Sequence, residues 1–523
     1  MADLHEDADR QVERAPKWYE VLKEEVLELR WRVLAVACFL TFGSYYIFDF
    51  PGSLGTGGGH TIEQRFRAHG KAYTQEMNQM LYSVYSWPNT VLAIFGGLLI
   101  DKYLGIRTAM LLFTFLILLG AFLFWLGVHF VAYPLMVAAR VVFGLGGESL
   151  SVSQSAYVAR WFKNGRGMAL AFGITISFSR VGSSFNFLFS PKIARSKDVD
   201  TAVLVGIFAC CISFIACMIL VAADIYAVRI GYIKPEPRES EEARVMKLSD
   251  ALKLPFAFWA LTAVCVFCYT AIFPFVGIGK GFFEVKYGYD GDKAASYISA
   301  YQFASAAGSP LIGIIVDAVG RNTLWLILAS TCFVLIHVLL IVSMIPGIAM
   351  MIMMGGFYSF LVAGLWPSIP WAVNENIVGF SYGVMTALQN VGLATFPIIV
   401  GDILDRYTPH SSSEGSAVDL SSSMSNSGED VLLPALKGYV MTELLFIGSA
   451  GVSFVASVVL LLSDLRNGGI LTASSTRRKQ METEGRNALL DYLPEEERNL
   501  LFSAAFDQED AWPGASNGSE KKS

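Results

Sequence analysis

Charged residues are scarce in this chain. Asp, Glu, Lys and Arg make up only 16% of its 523 residues, whereas 54% are hydrophobic and the mean hydropathy is positive. Such a composition leaves too much apolar surface for soluble cores of ordinary size, so we expect a polytopic membrane protein. The net charge of −6 is spread over tails and loops without a basic block, which argues against nucleic-acid binding.

Catalytic and cofactor-binding patterns are missing as well. The six His residues are scattered without metal-ligand spacing, and no Gly-rich loop ends in Lys-Ser or Lys-Thr. All seven Cys residues fall inside apolar runs, where neither a disulfide framework nor a metal site is expected. We expect no enzyme activity, no metal and no cofactor. Residues 1–30 lack the pattern of a cleavable signal peptide, and we expect none.

Long apolar runs are abundant. A run of about twenty apolar residues is long enough to cross a bilayer as a helix. The sequence therefore predicts an all-α protein with twelve transmembrane helices, at residues 31–51, 78–100, 108–128, 132–158, 168–190, 201–224, 256–276, 294–316, 323–345, 348–372, 380–402 and 437–463. Lys and Arg are more frequent in the tails and loops on the side of the termini, which favours cytosolic termini.

A charged connection divides the predicted helices into two sets of six. It covers residues 225–255 and separates an N-terminal half, 31–224, from a C-terminal half, 256–463. Cytosolic tails are predicted at 1–30 and 464–523, the second of them polar and mobile.

A repeat supports this division. The second and the eighth predicted helix both end in Gly-x-x-x-Asp followed by basic residues, and the two Asp residues are 216 positions apart, half the length of the predicted membrane region. A repeat at this offset implies two halves that face one another. We interpret it as a gating motif made of Gly97, Asp101, Lys102 and Arg107 in the first copy and Asp317 and Arg321 in the second.

Two charges lie within apolar runs, Glu148 in the fourth predicted helix and Arg180 in the fifth. Each costs about 3 kcal/mol to place at the middle of a membrane on insertion scales. The two predicted helices run in opposite directions and reach mid-membrane near 145 and 179, so the two side chains are expected at similar depth. A function or a partner must offset that cost.

These motifs resemble the major facilitator superfamily. The Gly-x-x-x-Asp loop, its weaker copy after the eighth helix, and Arg140-x-x-x-Gly144-x-Gly146 in the fourth helix are similar to that family's signatures. The first copy departs by one extra residue before Gly105. The resemblance implies two six-helix halves that rock around a central cavity, with Arg140, Gly144 and Gly146 as a structural motif.

A closer resemblance is to the animal lysosomal dipeptide transporters of that superfamily. It covers roughly residues 31–470 and is carried by the segments 42–45, 85–89, 143–150, 161–163, 273–275, 365–367 and 388–390. The resemblance implies export of dipeptides from lysosomes by uniport, together with a heavily glycosylated single-span accessory subunit. Neither tail matches. Two alternatives stay open: a proton-coupled transporter of another small organic solute, and a non-transporting sensor or assembly protein on the same fold.

A dipeptide always offers one amine and one carboxylate. Arg180 can hold a carboxylate with its guanidinium fork, and Glu148 can accept from an ammonium group. The alternative is a structural salt bridge, between these two residues or between Glu148 and Arg140. Aromatic and amide side chains suit a peptide backbone. As further candidates for substrate binding we name Tyr45, Tyr85, Trp87, Asn89, Phe273, Tyr301, Trp366 and Asn390.

Three other ionisable residues in apolar runs have simpler interpretations. Asp49 lies near the outer end of the first predicted helix, where we expect it to be solvated. His337 and Glu443 are candidates for proton carriers, although a single His among aliphatic residues is more often a hydrogen-bonded interior residue.

The C-terminal tail carries an address-like pattern. Glu496 stands four residues before Leu500 and Leu501, which fits the acidic dileucine signal read by cytosolic clathrin adaptors; an amphipathic turn is the alternative. The one Asn-x-Ser/Thr sequon begins at Asn517, in the tail predicted to be cytosolic. A lysosomal membrane protein without sugars of its own would benefit from a glycosylated partner.

Overall fold

A computed structural model of the chain describes residues 29–57, 59–98, 104–162, 168–230, 233, 254–373, 378–407, 428–478 and 480–481. Helices make up nearly all of these residues. Two parts of the predictions lie outside them: Asp101 and Lys102 of the gating motif, and the sorting residues Glu496, Leu500 and Leu501.

The N-terminal half begins with a broken helix and continues with five long ones. The elements are α1 (Leu29–Cys38), α2 (Phe42–Phe48), a π-helical turn (Pro51–Gly55), α3 (Ile62–Ala68), α4 (Gln75–Leu98), α5 (Gly105–His129), α6 (Tyr133–Phe162), α7 (Met168–Ser196) and α8 (Val199–Arg229). The long helices extend beyond several of the predicted apolar runs, because turns that include polar residues continue them at the ends.

The C-terminal half has the same pattern of long helices with one interruption. The elements are α9 (Phe256–Tyr287), α10 (Gly291–Val319), α11 (Asn322–Val342), α12 (Gly347–Leu365), a 3-10 turn (Trp366–Ser368), α13 (Ile369–Ala372), α14 (Val378–Tyr407) and α15 (Gly428–Arg466). The interruption between α12 and α13 coincides with Pro367, which has no backbone N–H to offer a helix.

Ten stretches of the described residues are long and apolar enough to cross a membrane. Helices α4 and α7 are also long, with 24 and 29 residues, but are not among the ten. Each of the two packs against the other half, α4 on α14 and α7 on α10. The count of twelve spans therefore stays a prediction.

The buried apolar side chains form two clusters. One draws on residues between 33 and 227, and the other on residues between 254 and 471, with Phe187 of α7 packed into the second. Each cluster thus belongs almost entirely to one set of helices. The connection that we predicted at 225–255 lies mostly outside the described residues, so the domain boundary itself stays a prediction.

The expectation that Asp49 is solvated is wrong. Its residue surface is only 3% exposed, since the chain continues past it into the π-helical turn and does not leave the bundle. Tyr82 of α4 donates a hydrogen bond to the Asp49 carboxylate at 3.4 Å, and the Gly52 N–H donates to the Tyr82 oxygen at 3.0 Å. The outer end of the first span is therefore tied to α4.

The chain after α15 folds back along the bundle, contrary to the mobile tail that we expected there. Arg321 N–H donates to the Ala473 carbonyl at 3.0 Å, and Ser475 donates to the Ala318 carbonyl at 2.6 Å. The Arg478 guanidinium lies 5.1 Å from the centre of the Trp371 ring. Residues 467–478, called here the C-terminal strap, thus cover the connection between α10 and α11.

Candidate functional site

Close packing of α6 sets the position of Glu148. A Cβ added at Gly144 would lie 2.4 Å from the Tyr85 carbonyl oxygen of α4, and one added at Gly146 would lie 2.6 Å from the Phe113 carbonyl oxygen of α5. Only glycine allows both neighbours to approach this far. The Tyr85 hydroxyl also lies against Gly147, so α4 and α6 meet beside Glu148.

Glu148 forms no hydrogen bond and no ion pair with any residue that the structure describes. Neither Arg180 nor Arg140, the two ionic partners considered from the sequence, approaches it within the 4.0 Å of an ion pair. The electrostatic neighbours of Glu148 are Tyr45 and Tyr85. Its side chain is half-buried, which leaves the carboxylate accessible to a ligand.

Arg140 is occupied by the backbone of the first span. Its Nη1 and Nη2 atoms donate to the carbonyl oxygens of Ile47 and Phe48, at 3.3 and 2.9 Å. These carbonyls lie at the end of α2, where the backbone N–H of Asp49 also donates to the Ile47 carbonyl. The guanidinium also lies 5.1 Å from the centre of the Phe124 ring. These contacts support a structural role for Arg140, as expected for the motif in the fourth predicted helix, which is α6 in the structure.

Arg180 contacts the C-terminal half. Its Nη2 donates to the Tyr358 hydroxyl of α12 at 2.9 Å, and its guanidinium lies 4.5 Å from the centre of the Tyr358 ring. The Nε atom is buried without a hydrogen-bond acceptor. A buried donor without an acceptor costs about 1–3 kcal/mol, so this guanidinium is incompletely satisfied by the protein. Tyr45 interacts electrostatically with both Arg180 and Glu148 and so lies near both charges.

An aromatic cluster of the C-terminal half surrounds Arg180. Tyr358 donates to the Tyr269 hydroxyl at 3.2 Å, and Trp366 Nε1 donates to the same oxygen at 3.2 Å. Phe273 stacks on Tyr269 with ring centres 5.3 Å apart, and Tyr301 packs 6.0 Å from Tyr358. Three residues named from the sequence, Phe273, Tyr301 and Trp366, thus come together here.

The other three candidates lie outside this cluster. Trp87 is 52% exposed. Asn89 and Asn390 are buried, and each donates to a carbonyl oxygen one turn earlier in its own helix, Tyr85 and Thr386. In both amides the side-chain oxygen is buried and has no hydrogen-bond partner. Their role in binding stays a prediction.

The gating motif is only partly described. Arg107, at the start of α5, donates to the carboxylate of Asp224 near the end of α8, and Arg160 of α6 lies 3.4 Å from the same carboxylate. In the second copy Asp317 is exposed and interacts electrostatically with Arg478 of the C-terminal strap. Arg321 has a positive φ of 56° at the start of α11. Gly97 lies within α4.

At the end of the bundle opposite the termini the two halves are tied together. Asp405 of α14 accepts hydrogen bonds from the Gln75 and Glu76 N–H groups that open α4, each at 2.8 Å. Lys280 of α9 donates to the Ser53 and Gly57 carbonyls at 3.2 and 3.3 Å. A third contact joins Arg195 of α7 to Asp290 and Asp292. The described conformation is therefore closed at that end.

His337 and Glu443 form a pair, whereas His337 Nε2 and Glu443 Oε1 are buried without a hydrogen-bond partner among the described residues. His337 Nδ1 lies 2.7 Å from Glu443 Oε2, and both side chains are fully buried. The rings of Phe275 and Phe446 lie 5.5 and 5.4 Å from the His337 ring. The pair joins α11 to α15 within the C-terminal half, away from the contacts of Arg180.

Three residues of these networks were missed from the sequence: Tyr269, Tyr358 and Asp224. A Tyr in an apolar run needs a partner for its hydroxyl, and this requirement could have singled out Tyr269 and Tyr358. Asp224 is the last residue of the predicted run 201–224, and its burial depends on Arg107 and Arg160, which no local pattern places beside it. Among the described residues no group of three or more His, Cys, Asp or Glu is placed to hold a metal ion.

A family model described as Major Facilitator Superfamily matches residues 34–397. The chain therefore belongs to the major facilitator superfamily, and the predicted all-α membrane fold is confirmed. Its sequence is similar to that of the lysosomal dipeptide transporter MFSD1 of Homo sapiens, with 33% identity over 494 residues that cover 92% of this chain and 97% of the relative. The protein of the same name from Gallus gallus is 30% identical over 468 residues, covering 88% and 91%.

Solved structures show the same fold. The nucleoside transporter NupG aligns with a TM-score of 0.58 at 12% identity, covering 82% of this chain and 98% of that one. A bacterial homolog of the human lysosomal transporter Spinster, in an inward-facing and unoccupied conformation, aligns with a TM-score of 0.58 at 13% identity, covering 83% and 98%. At such identities the likeness concerns the fold alone.

Proposed function

We propose that this protein is a transporter of the lysosomal membrane that exports dipeptides to the cytosol by alternating access, as a uniporter. The observation that carries the proposal is the state of the two charges within apolar helices, the half-buried Glu148 and the buried Arg180. Glu148 has no described hydrogen-bond or ionic partner, and Arg180 leaves its buried Nε without an acceptor. A zwitterionic substrate supplies both missing partners. The similarity to proteins named lysosomal dipeptide transporters supports this assignment of substrate.

In this proposal Arg180 binds the substrate carboxylate and Glu148 binds the amine. A charge-assisted hydrogen bond contributes about 1.5–3 kcal/mol, so loss of either contact should weaken substrate binding roughly 10- to 150-fold. Tyr45 lies near both charges and would pack along the middle of the substrate. Rocking of the halves would then expose this site to one side of the membrane at a time.

Uptake of dipeptides into proteoliposomes tests the assignment. Glu148→Gln and Arg180→Ala should lose most of the flux. Asp402→Asn and Arg406→Ala are matched controls, since these two residues form an exposed ion pair on one face of α14. Normal flux in Glu148→Gln and Arg180→Ala protein that is folded and inserted would overturn the proposal.

Substrate analogues assign the two ends. A dipeptide amide lacks the carboxylate, and an N-acetyl dipeptide lacks the amine. Arg180→Ala should abolish the preference for the dipeptide over its amide, whereas Glu148→Gln should abolish the preference over the acetylated form. If each variant abolishes the opposite preference, the orientation of the substrate is reversed.

Uniport has its own test. Flux of dipeptide should follow the dipeptide gradient alone, with no accumulation above equilibrium when a pH gradient is imposed. Uphill accumulation driven by protons would replace uniport with proton coupling. Flux of an unrelated organic anion in the absence of dipeptide flux would favour another substrate class.

We also propose that clathrin adaptors sort the protein through Glu496, Leu500 and Leu501. The support is the acidic dileucine pattern in the tail that we predict to be cytosolic. A Leu500→Ala/Leu501→Ala variant should redistribute from lysosomes to the cell surface. An unchanged distribution would leave the pattern without a sorting role.

A glycosylated single-span accessory subunit is the remaining partner that we propose. The support is the position of the one sequon, Asn517, in the same tail. Enzymatic removal of sugars from intact lysosomal membranes should shorten the lifetime of this chain, although the chain itself carries none on that side. An unchanged lifetime would contradict the proposed protection.

A further inference from the structure

The hydroxyl group of Tyr269 has more donors around it than acceptors. It accepts hydrogen bonds from Tyr358 and from Trp366 Nε1, each at 3.2 Å. A phenol oxygen accepts up to two hydrogen bonds and donates one. Both acceptor positions are thus filled, and no described residue accepts the proton of Tyr269 itself. The Tyr269 hydroxyl can therefore donate a hydrogen bond to a group other than the described residues, such as a bound substrate.

The position of this hydroxyl relative to Arg180 is fixed by the two links between them. Arg180 Nη2 lies 2.9 Å from the Tyr358 oxygen, which lies 3.2 Å from the Tyr269 oxygen, so the outer atoms are no more than about 6 Å apart. The Tyr269 ring is held by Phe273, stacked at 5.3 Å, and by Tyr358, edge-on at 5.9 Å. With a residue exposure of 6%, Tyr269 cannot turn its hydroxyl into bulk water.

We propose that the Tyr269 hydroxyl donates a hydrogen bond to the carbonyl oxygen of the substrate's peptide bond; this rests on the proposed function. When Arg180 holds the carboxylate, the preceding peptide group follows one residue back, about 3.8 Å along the chain. The Tyr269 hydroxyl lies within about 6 Å of the guanidinium, which is close enough for it to contact that peptide group. The carbonyl of the peptide bond is also the acceptor that every dipeptide contains, whatever its side chains.

The consequence of this hydrogen bond would be selectivity for substrates that contain a peptide bond. Glu148 and Arg180 bind an amine and a carboxylate, which a free amino acid also carries. A site built to hydrogen-bond a group of the substrate rejects analogues that lack it, since its own polar atom is then left unpaired. Tyr269 would therefore select dipeptides over amino acids without selecting among side chains.

A thioamide dipeptide provides the experiment. Replacing the peptide oxygen of alanyl-alanine by sulfur keeps both charged ends but weakens the acceptor. For the unaltered protein, the concentration giving half-maximal flux should be roughly 3- to 10-fold higher for the thioamide than for the ordinary dipeptide, the range of one neutral hydrogen bond. In Tyr269→Phe this ratio should fall to about one, because the donor is gone.

The control is a second Tyr→Phe substitution, at Tyr382, which contacts Trp366 and not Tyr269. Tyr382 donates to the Trp366 carbonyl at 2.8 Å and stacks on the Trp366 ring. Tyr382→Phe disturbs the packing but leaves the Tyr269 proton in place, so it should keep the ratio of the unaltered protein. A ratio that persists in Tyr269→Phe, or that collapses equally in Tyr382→Phe, would overturn the proposal.

The unaltered protein tests the proposed hydrogen bond even if Tyr269→Phe does not fold. A thioamide ratio near one in the unaltered protein would by itself rule out a donor to the peptide oxygen. This failure differs from that of the proposed function, in which neither the dipeptide nor its thioamide would be transported at all.

Discussion

Glu148 and Glu443 are both carboxylates inside apolar helices, but only Glu443 has a hydrogen-bond or ionic partner among the residues that the structure describes. Glu443 lies 2.7 Å from His337, and both side chains are 0% exposed. Glu148 has no described hydrogen bond or ion pair and is half-buried. The same residue type at the same kind of position therefore ends in two different environments, one in each half.

The difference distinguishes an acid paired within the protein from the acid that we propose binds substrate. Both residues carry the cost of placing a charge among apolar side chains. In the C-terminal half that cost is offset in part by His337, which contacts one of the two carboxylate oxygens of Glu443. In the N-terminal half it is not, so a ligand that brings a positive charge gains the most at Glu148. An unpaired acid in an apolar helix is in this sense a better indicator of a binding site than a paired one.

The largest expected effect concerns Glu443. Removing one partner of a buried pair costs about 3–5 kcal/mol of stability, so Glu443→Ala should markedly lower the thermal midpoint of the purified protein. Glu148→Ala, measured alongside, should leave the midpoint unchanged or raise it, since no partner is lost. Equal destabilisation by both substitutions would remove the distinction between the two acids.

Ligand-induced stabilisation should show the reverse order. A dipeptide at a hundred times its dissociation constant should stabilise the unaltered protein by about 2.7 kcal/mol. Glu148→Gln should lose most of that gain, whereas His337→Gln should keep it despite a lower starting midpoint. A full ligand shift in Glu148→Gln would show that this carboxylate does not touch the substrate.

Asp405 extends the comparison to an acid that is satisfied across the two halves. Asp405→Ala removes both acceptors at the start of α4, a loss of about 0.5–2 kcal/mol by analogy with helix caps. The loss should fall on the closed state, so spin labels at the exposed positions Ala68 and Lys293 should show a larger separated population. Asp405→Asn keeps one acceptor oxygen, so its separated population should lie between those of the unaltered protein and Asp405→Ala. An unchanged distance distribution in Asp405→Ala would mean that this contact does not hold the end closed.

The smallest effect concerns Glu63 of α3, an acid that is neither fully paired nor free. Burial, opposed by Arg67, raises the pKa of Glu63 above its usual value, and Asp405 raises it further while Lys280 lowers it. A raised pKa means that the closed state binds the Glu63 proton more tightly than an open, hydrated state does. Protonation of Glu63 therefore favours the closed state at low pH, and this preference is lost as the pH rises through the raised pKa. The same label pair should report more closure on acidification, and Glu63→Gln should weaken that response. A response of equal size in Glu63→Gln would assign it to other groups.

Much of the fold follows from the sequence because apolar length and Gly-rich motifs act locally. The approach of α6 to α4 and α5 is readable from Gly144 and Gly146, since only glycine permits contacts this close. The break of the first span at Asp49 and Pro51 was not anticipated. Arg140, more than ninety residues away, donates to the Ile47 and Phe48 carbonyls just before the break, a contact that no local pattern encodes.

The candidate site was recoverable only in part. Glu148 and Arg180 stand out because charge in an apolar run is costly, but which of them is paired depends on distances between helices that no local pattern encodes. Tyr269 and Tyr358 look like ordinary aromatic residues of apolar spans. Their importance arises from a hydrogen-bond chain that starts at α7 and passes through α12 to α9.

The C-terminal strap limits how far the tail can reach. Arg478 is held by hydrogen bonds to the Ile470 and Leu471 carbonyls and lies against Trp371, so the reach of the residues after it is measured from Arg478 and not from the end of α15. From Arg478 to Glu496 the chain spans at most about 60–65 Å when fully extended. In the sorting role that we propose for the dileucine pattern, an adaptor would therefore have to bind within that radius of the α10–α11 connection.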